Sequence, residues 1–260
     1  MNLPHSLERT VLIQAGRETV FRYFTDSARW ASWWGPGSTI DARPGGRVLI
    51  RYPGGVEATG DVLEVQPPES LVFTYGYASG QPIPPGASRV TLLLEAAGTA
   101  TRLHLRHEFA EADAAARDEH VQGWRYQLAV FGNVVADEAN AGAAELVDAW
   151  FAAWGEPDAG RRAEALGRIA SPSLRFRDRY GLVDGVEDLL PHVAAAQRFM
   201  PGVRLQRYGE VRHCQGTVLA DWVVRLADGS ERGRGTNVFV LGGDGRIESV
   251  TGFWAAPPGH

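Results

Sequence analysis

Asp178 is the residue best placed to do chemistry. It ends the run Leu174-Arg175-Phe176-Arg177-Asp178. Side chains alternate across a strand, so Leu174, Phe176 and Asp178 share one face while Arg175, Arg177 and Arg179 share the other. If Leu174 and Phe176 face a core, Asp178 faces it too. Burial makes a carboxylate more basic, and a general base that removes a proton beside a carbonyl needs that basicity. The competing reading is that Asp178 pairs with an arginine such as Arg175, or caps a loop. Carboxylates in unusual surroundings are enriched at sites but not confined to them. Asn237 shares a face with Phe239 and Leu241 and would also point inward, bringing two N–H donors. Tyr180, His192 and Tyr208 are polar groups for a rim or for the surface.

The first half of the chain offers rings and one inward histidine. On the run 103–109, Leu103, Leu105, His107 and Phe109 share a face; Arg102, His104, Arg106 and Glu108 share the other. Phe73 and Tyr75 share a face of another strand, and Trp30, Trp33, Trp34 and Trp124 could meet them. A pocket lined by aromatics with a few polar tips is the usual form of a small-molecule site. The competing reading is that these rings fill a core and His107 bonds a backbone carbonyl, since apolar stripes are core more often than site. No metal set is visible, because His104 and His107 fall on opposite faces of one strand. No pattern requires a cofactor.

Composition narrows the classes. The net charge of -5 argues against a general nucleic-acid binder. All 26 basic residues are arginine, which removes Schiff-base chemistry and a phosphate-loop lysine. Cys214 is the single cysteine, so no internal disulfide forms. The start MNLPHSLERTVLIQ lacks the pattern of a signal peptide, and no window approaches the ~20 apolar residues of a membrane span. A cytoplasmic protein is expected.

These residues need elements to hold them. Apolar steps of three and four at Val121, Trp124, Leu128, Phe131 and Val135 predict one helix. Leu146, Ala149, Trp150 and Ala153 predict a second. The break at Asn140-Ala141-Gly142 separates them, so the first helix closes one domain (residues 1–138) and the second opens another (142–260). Before the break, one strand, two short helices and an antiparallel meander are expected. Asp26 or Ser27 caps the second short helix, and Trp34-Gly35-Pro36-Gly37 stops it. After the break come helices at 143–154, 161–169 and 186–199, a strand at 174–180, and four strands joined by Gly-rich turns.

The run RWASWWGPGSTIDARPGG (residues 29–46), a meander, His107, and a helix bearing Gly123-Trp124 together resemble the heat-shock protein 90 ATPase-activator homologue family. That family lies within the START-like (SRPBCC) superfamily. The resemblance implies a helix-grip fold, in which a curved antiparallel sheet wraps a long helix around an apolar cavity. Trp30, Trp33, Trp34, Tyr75, His107 and Trp124 would then line a ligand site. The later pattern AWFAAW, SPSLRFRDRYGLVDG and DGSERGRGTNVFVLGGDGRIESVTGFW resembles the nuclear transport factor 2-like superfamily, to which SnoaL-like polyketide cyclases and ketosteroid isomerase belong. It implies an α+β cone with Asp178 at the base's position. The positions of the acidic oxyanion donors hold Trp150 and Asn237, both weaker donors. Phe176 and Tyr180 would line the cavity beside them. The resemblance also implies a homodimer formed through the open face of the sheet.

The whole therefore reads as an α+β chain of two ligand-binding domains for a small apolar or polycyclic compound. Whether it is an enzyme stays open. A cyclase-, isomerase- or dehydratase-like activity with Asp178 as base stands against a non-enzymatic carrier or sensor. A chaperone-linked accessory, suggested by the family's name alone, stands last.

Overall fold

The computed structural model describes residues 2–255. The chain divides into two compact units, Met1–Ala136 and Asp137–His260.

The first unit runs β1 (His5–Ile13), α1 (Arg17–Arg22), α2 (Ser27–Trp34), β2 (Thr39–Ile40), β3 (Arg47–Arg51), β4 (Glu57–Gln66), β5 (Ser70–Tyr77), β6 (Ser88–Ala97), β7 (Ala100–Phe109) and α3 (Ala114–Ala139). The strands form one sheet in the order β1-β7-β6-β5-β4-β3-β2. This is a meander whose last strand is joined by the first, and the adjacent pairs are antiparallel. The alternation expected on β7 is present: Leu103, Leu105, His107 and Phe109 are buried, while Arg102 and Arg106 are exposed. Glu108 departs from it. It is also buried, because Arg89 and Arg106 hold its carboxylate at 2.8 and 3.3 Å. The α3 stripe meets the unit's rings, with Phe131 stacked on Phe24 at 5.2 Å. Each such apolar side chain contributes about 1.5–3 kcal/mol when fully buried.

Two local devices fix α2. The Asp26 carboxylate accepts the Arg29 N–H at 2.9 Å, a cap that stabilises a helix by about 1 kcal/mol. Gly35 ends it at φ +142°, where a Cβ would lie 2.3 Å from the Arg51 carbonyl oxygen. Only glycine allows that approach.

The second unit runs α4 (Ala143–Gly155), α5 (Ala159–Ile169), β8 (Ala170–Asp178), β9 (Gly181–Asp184), α6 (Val186–Phe199), β10 (Arg204–Cys214), β11 (Thr217–Arg225), β12 (Glu231–Leu241) and β13 (Ile247–Trp254). Its sheet order is β10-β11-β12-β13-β8-β9. The last four long strands form antiparallel hairpins, and β13 then pairs in parallel with β8, setting Val250 beside Phe176. The result is the expected α+β cone. The strand predicted at 174–180 instead spans Ala170–Asp178 and turns back as β9, with Asp178 opposite Gly181. Residues 181–184 carry too few apolar positions to announce a strand. Gly181 is needed there because a Cβ would sit 2.5 Å from the His192 ring. Among the described residues, no helix is long and apolar enough to cross a membrane.

Candidate functional site

In the second unit, α4, α6 and the sheet enclose a recess of about 60 Å³. It shares Trp154, Asp178, Met200 and Trp254 with an outer pocket of about 1110 Å³. Leu174 and Phe176 are buried and Asp178, next on their face, is half-buried at the junction. Asp178 Oδ1 accepts the Tyr180 backbone N–H at 2.8 Å, and Oδ2 accepts the Trp254 indole N–H at 3.4 Å. Asp178 therefore caps its own turn with one oxygen and is reached from the pocket at the other.

Asn237 is 6% exposed, and its Oδ1 accepts the Trp222 indole N–H at 2.8 Å. An indole N–H only donates, so the amide oxygen is fixed on Trp222 and the NH2 is left to donate elsewhere. The register sets Asn237 on β12 opposite Gly252 on β13. A Cβ on Gly252 would lie 3.1 Å from Asn237 Oδ1 and 3.2 Å from the Asp178 Cβ. A carboxylate and an amide from different strands thus flank a glycine.

The remaining residues expected in this unit divide. Phe176 lines the recess and Tyr180 the outer pocket. Trp150 touches the recess but is 1% exposed and packs between Trp154, Phe176 and Phe239. Three neighbouring tryptophans place indole N–H groups at or near the recess. Trp154, one helical turn on, lines both pockets, and its indole N–H is buried without a partner. Trp222 and Trp254 meet nearly edge-on at 4.8 Å and 80° and hold Asn237 and Asp178. Sequence reading passed over these three tryptophans. The signal was there in the alternation of β13, where Trp254 follows Gly252 on the same face. His192, a rim residue in the sequence reading, lines the outer pocket against Trp154 and Phe176. Arg179, Arg232 and Arg234 stand around the same opening.

In the first unit, a cavity of about 470 Å³ lies against α2, β5 and α3. Trp33, Trp34, Tyr75 and Trp124 line it as expected. Trp30 and His107 do not. Trp30 is fully buried, edge-on to Phe73 at 5.8 Å, and donates its indole N–H to the Leu49 carbonyl at 3.3 Å. It is core. His107 is also fully enclosed. The Trp124 indole N–H donates to His107 Nδ1 at 3.0 Å, so Nδ1 is an acceptor and the proton is on Nε2. Nε2–H donates to Ser88 Oγ at 2.9 Å, and the Ser88 hydroxyl donates to the Tyr75 carbonyl at 2.8 Å. Burial, helped by nearby His120, holds the His107 pKa well below the usual histidine value. The imidazole is neutral and its hydrogen bonds are closed within the fold.

Fold and cavities together define a two-unit α+β protein with a separate hollow in each unit. The family described as Activator of Hsp90 ATPase homolog 1-like protein matches residues 14–136, nearly all of the first unit. No curated protein matches the chain. Among solved structures, a SnoaL-like family protein from Agrobacterium tumefaciens is 27% identical, covering 43% of this chain and 96% of its own, with a TM-score of 0.42. CalU16 from Micromonospora echinospora is 28% identical over 51% of this chain and 77% of its own, at 0.41. The Aha1 dimer from Colwellia psychrerythraea is 16% identical over 48% and 90%, at 0.38.

Proposed function

We propose that the second unit binds a small apolar or polycyclic carbonyl compound and that Asp178 acts on it as a general base. The observation that carries this reading is the pairing of Asp178 with Asn237 across Gly252 beside a ring-lined recess. A carbonyl oxygen accepting from the Asn237 NH2 brings its α-carbon toward Asp178. The carboxylate takes the α-proton, and the C–H electron pair moves into the enolate, whose oxygen the amide N–H steadies. Return of the proton to a different atom is isomerisation; bond formation or loss of hydroxide from the enolate is cyclisation or dehydration. Trp254 would aim the carboxylate through its N–H.

A ketone probe tests this without knowledge of the natural substrate. In deuterated buffer, 2-tetralone should exchange its α-protons faster with the protein than without it. Asp178→Asn should slow that exchange by about 10²–10⁴-fold while 2-tetralone still quenches tryptophan fluorescence. Unchanged exchange in the variant would remove the base. A carrier is the second reading, favoured by the bond from the Tyr180 N–H that makes Asp178 a turn cap. It predicts quenching with no exchange in either protein.

A further inference from the structure

The first-unit cavity takes no part in that chemistry, and its walls have a character of their own. Trp33 and Trp34 come from α2, Tyr52 from the residue just after β3, Tyr75 and Tyr77 from β5, and Trp124 from α3. Several of these rings meet close to perpendicular: Trp34 with Tyr52 at 90°, Trp34 with Trp124 at 72°, and Tyr75 with Tyr77 at 76°. With Trp33, which lies 4.3 Å and 34° from Trp34, they line an open box.

The charges around the box are one-sided. Among the described residues, Glu119 is on its wall and no arginine is; the chain has no lysine. His120, also on the wall, donates Nδ1–H to the Ala116 carbonyl at 2.7 Å, which leaves Nε2 facing the Tyr77 hydroxyl at 3.5 Å. Burial lowers the His120 pKa, so the ring is neutral at pH 7. The Tyr52 and Tyr75 hydroxyls bond each other at 3.0 Å, and burial pushes both phenols up, away from ionisation. The tyrosine and histidine groups thus bond one another or the backbone, and the indole N–H groups of Trp33 and Trp34, which have no partner among the described residues, are buried away from the surface. What remains for a guest is a set of ring faces, which carry partial negative charge, and one carboxylate. Glu119 apart, a guest that needs hydrogen-bond acceptors finds few open to it. A guest with diffuse positive charge needs none.

We propose that this cavity binds an organic cation, a quaternary or tertiary ammonium group held among the faces of Trp34, Tyr52 and Trp124 with Glu119 at its edge. Aromatic faces attract such cations most strongly when both are withdrawn from water. The site goes beyond the carbonyl chemistry proposed for the second unit and stands or falls separately.

Choline and its uncharged carbon isostere, 3,3-dimethyl-1-butanol, separate charge from shape. Titrated into the full chain and followed by tryptophan fluorescence and ligand-observed NMR, choline should bind at least ten-fold more tightly than the alcohol. Glu119→Gln should weaken choline several-fold, and Trp34→Leu should abolish its binding. Should Trp34→Leu fail to fold, Tyr52→Leu reads the same wall, while Glu119 is exposed and its variant keeps the core intact. Equal binding of the two isosteres, absence of choline binding, or choline binding that none of these variants weakens would each overturn the proposal.

Discussion

The two hollows are walled by the same residue type and leave opposite chemistry on offer. In the first unit, among the described residues, the box of rings is lined by one carboxylate and no guanidinium. In the second, Arg179, Arg232 and Arg234 stand at the opening with Glu231 and Asp178. The difference lies in what the tryptophan N–H groups do. Trp124 fixes His107, and the chain of bonds then runs through Ser88 to a backbone carbonyl and closes. Trp222 fixes only the oxygen of Asn237, and Trp254 meets one oxygen of Asp178. The same donor thus closes a hydrogen-bond chain in the first unit and, on the proposed function, aims two polar groups in the second. A buried polar residue is read as structural or functional by where its last hydrogen bond ends, not by its burial.

The comparison breaks first at the rings themselves. Trp30 and Trp150 are fully buried and make core contacts, Trp150 also touching the recess; Trp34 and Trp154 line the hollows. Trp30→Ala and Trp150→Ala should each cost about 3–5 kcal/mol in urea denaturation, through lost burial and the cavity left behind. A loss under about 1 kcal/mol at either would mean that the core and wall assignments are reversed there.

Removing an aiming N–H is the next largest effect. Trp222→Phe leaves the Asn237 oxygen buried without a donor, at a cost of about 1–3 kcal/mol. Trp124→Phe leaves His107 Nδ1 in the same condition at a similar cost. On the proposed mechanism only Trp222→Phe should also slow ketone exchange, because without that bond the Asn237 amide is no longer held in the orientation assigned to it. Equal losses of exchange in the two variants would dissolve the distinction.

Acid acts on the first unit through the silenced histidine. Unfolded, His107 takes a proton near the ordinary pKa of about 6.5; folded, its pKa is well below that. Below about pH 6.5 the unfolded state therefore binds the extra proton. Stability of the first unit should fall as pH drops, by up to about 1.4 kcal/mol per pH unit for this one group. His120 works in the same direction. Denaturation at pH 7 and pH 5.5 measures the slope, and His107→Gln should flatten it. A variant with an unchanged slope would place the acid sensitivity elsewhere.

Periodicity made most of this architecture legible. The alternation on β7 and β8 and the stripe on α3 are set by burial, and burial leaves its mark on residue types. The inward placement of Leu174, Phe176 and Asp178 follows from period two alone. What stayed hidden depends on contacts between distant segments. The parallel pairing of β8 with β13 joins residues more than seventy positions apart, as Phe176 and Val250 show, and no local pattern encodes it. The short β9 turns back on β8 and sets Gly181 against the His192 ring. Sequence spacing also could not distinguish Trp30, which is core, from Trp33, which lines the first-unit cavity. Which indole lines a hollow depends on a fraction of a helical turn.

The finest test touches neither polar group. Gly252 lies within β13, where alanine is favoured over glycine by about 0.5–1 kcal/mol in backbone terms. Its new methyl group would press on Asn237 Oδ1 at 3.1 Å and on the Asp178 Cβ at 3.2 Å. Those two tendencies offset, so Gly252→Ala should shift stability by less than about 1 kcal/mol. It should nonetheless push the carboxylate and the amide apart by a few tenths of an ångström. A base and an oxyanion donor that share one substrate feel that shift twice, once in each hydrogen bond, and proximity effects are steep in distance. Ketone exchange should drop by about ten-fold while the protein melts almost where the wild type does, and choline binding in the first unit should not move. Exchange that survives the methyl group intact would show that Asp178 and Asn237 do not act on the same molecule.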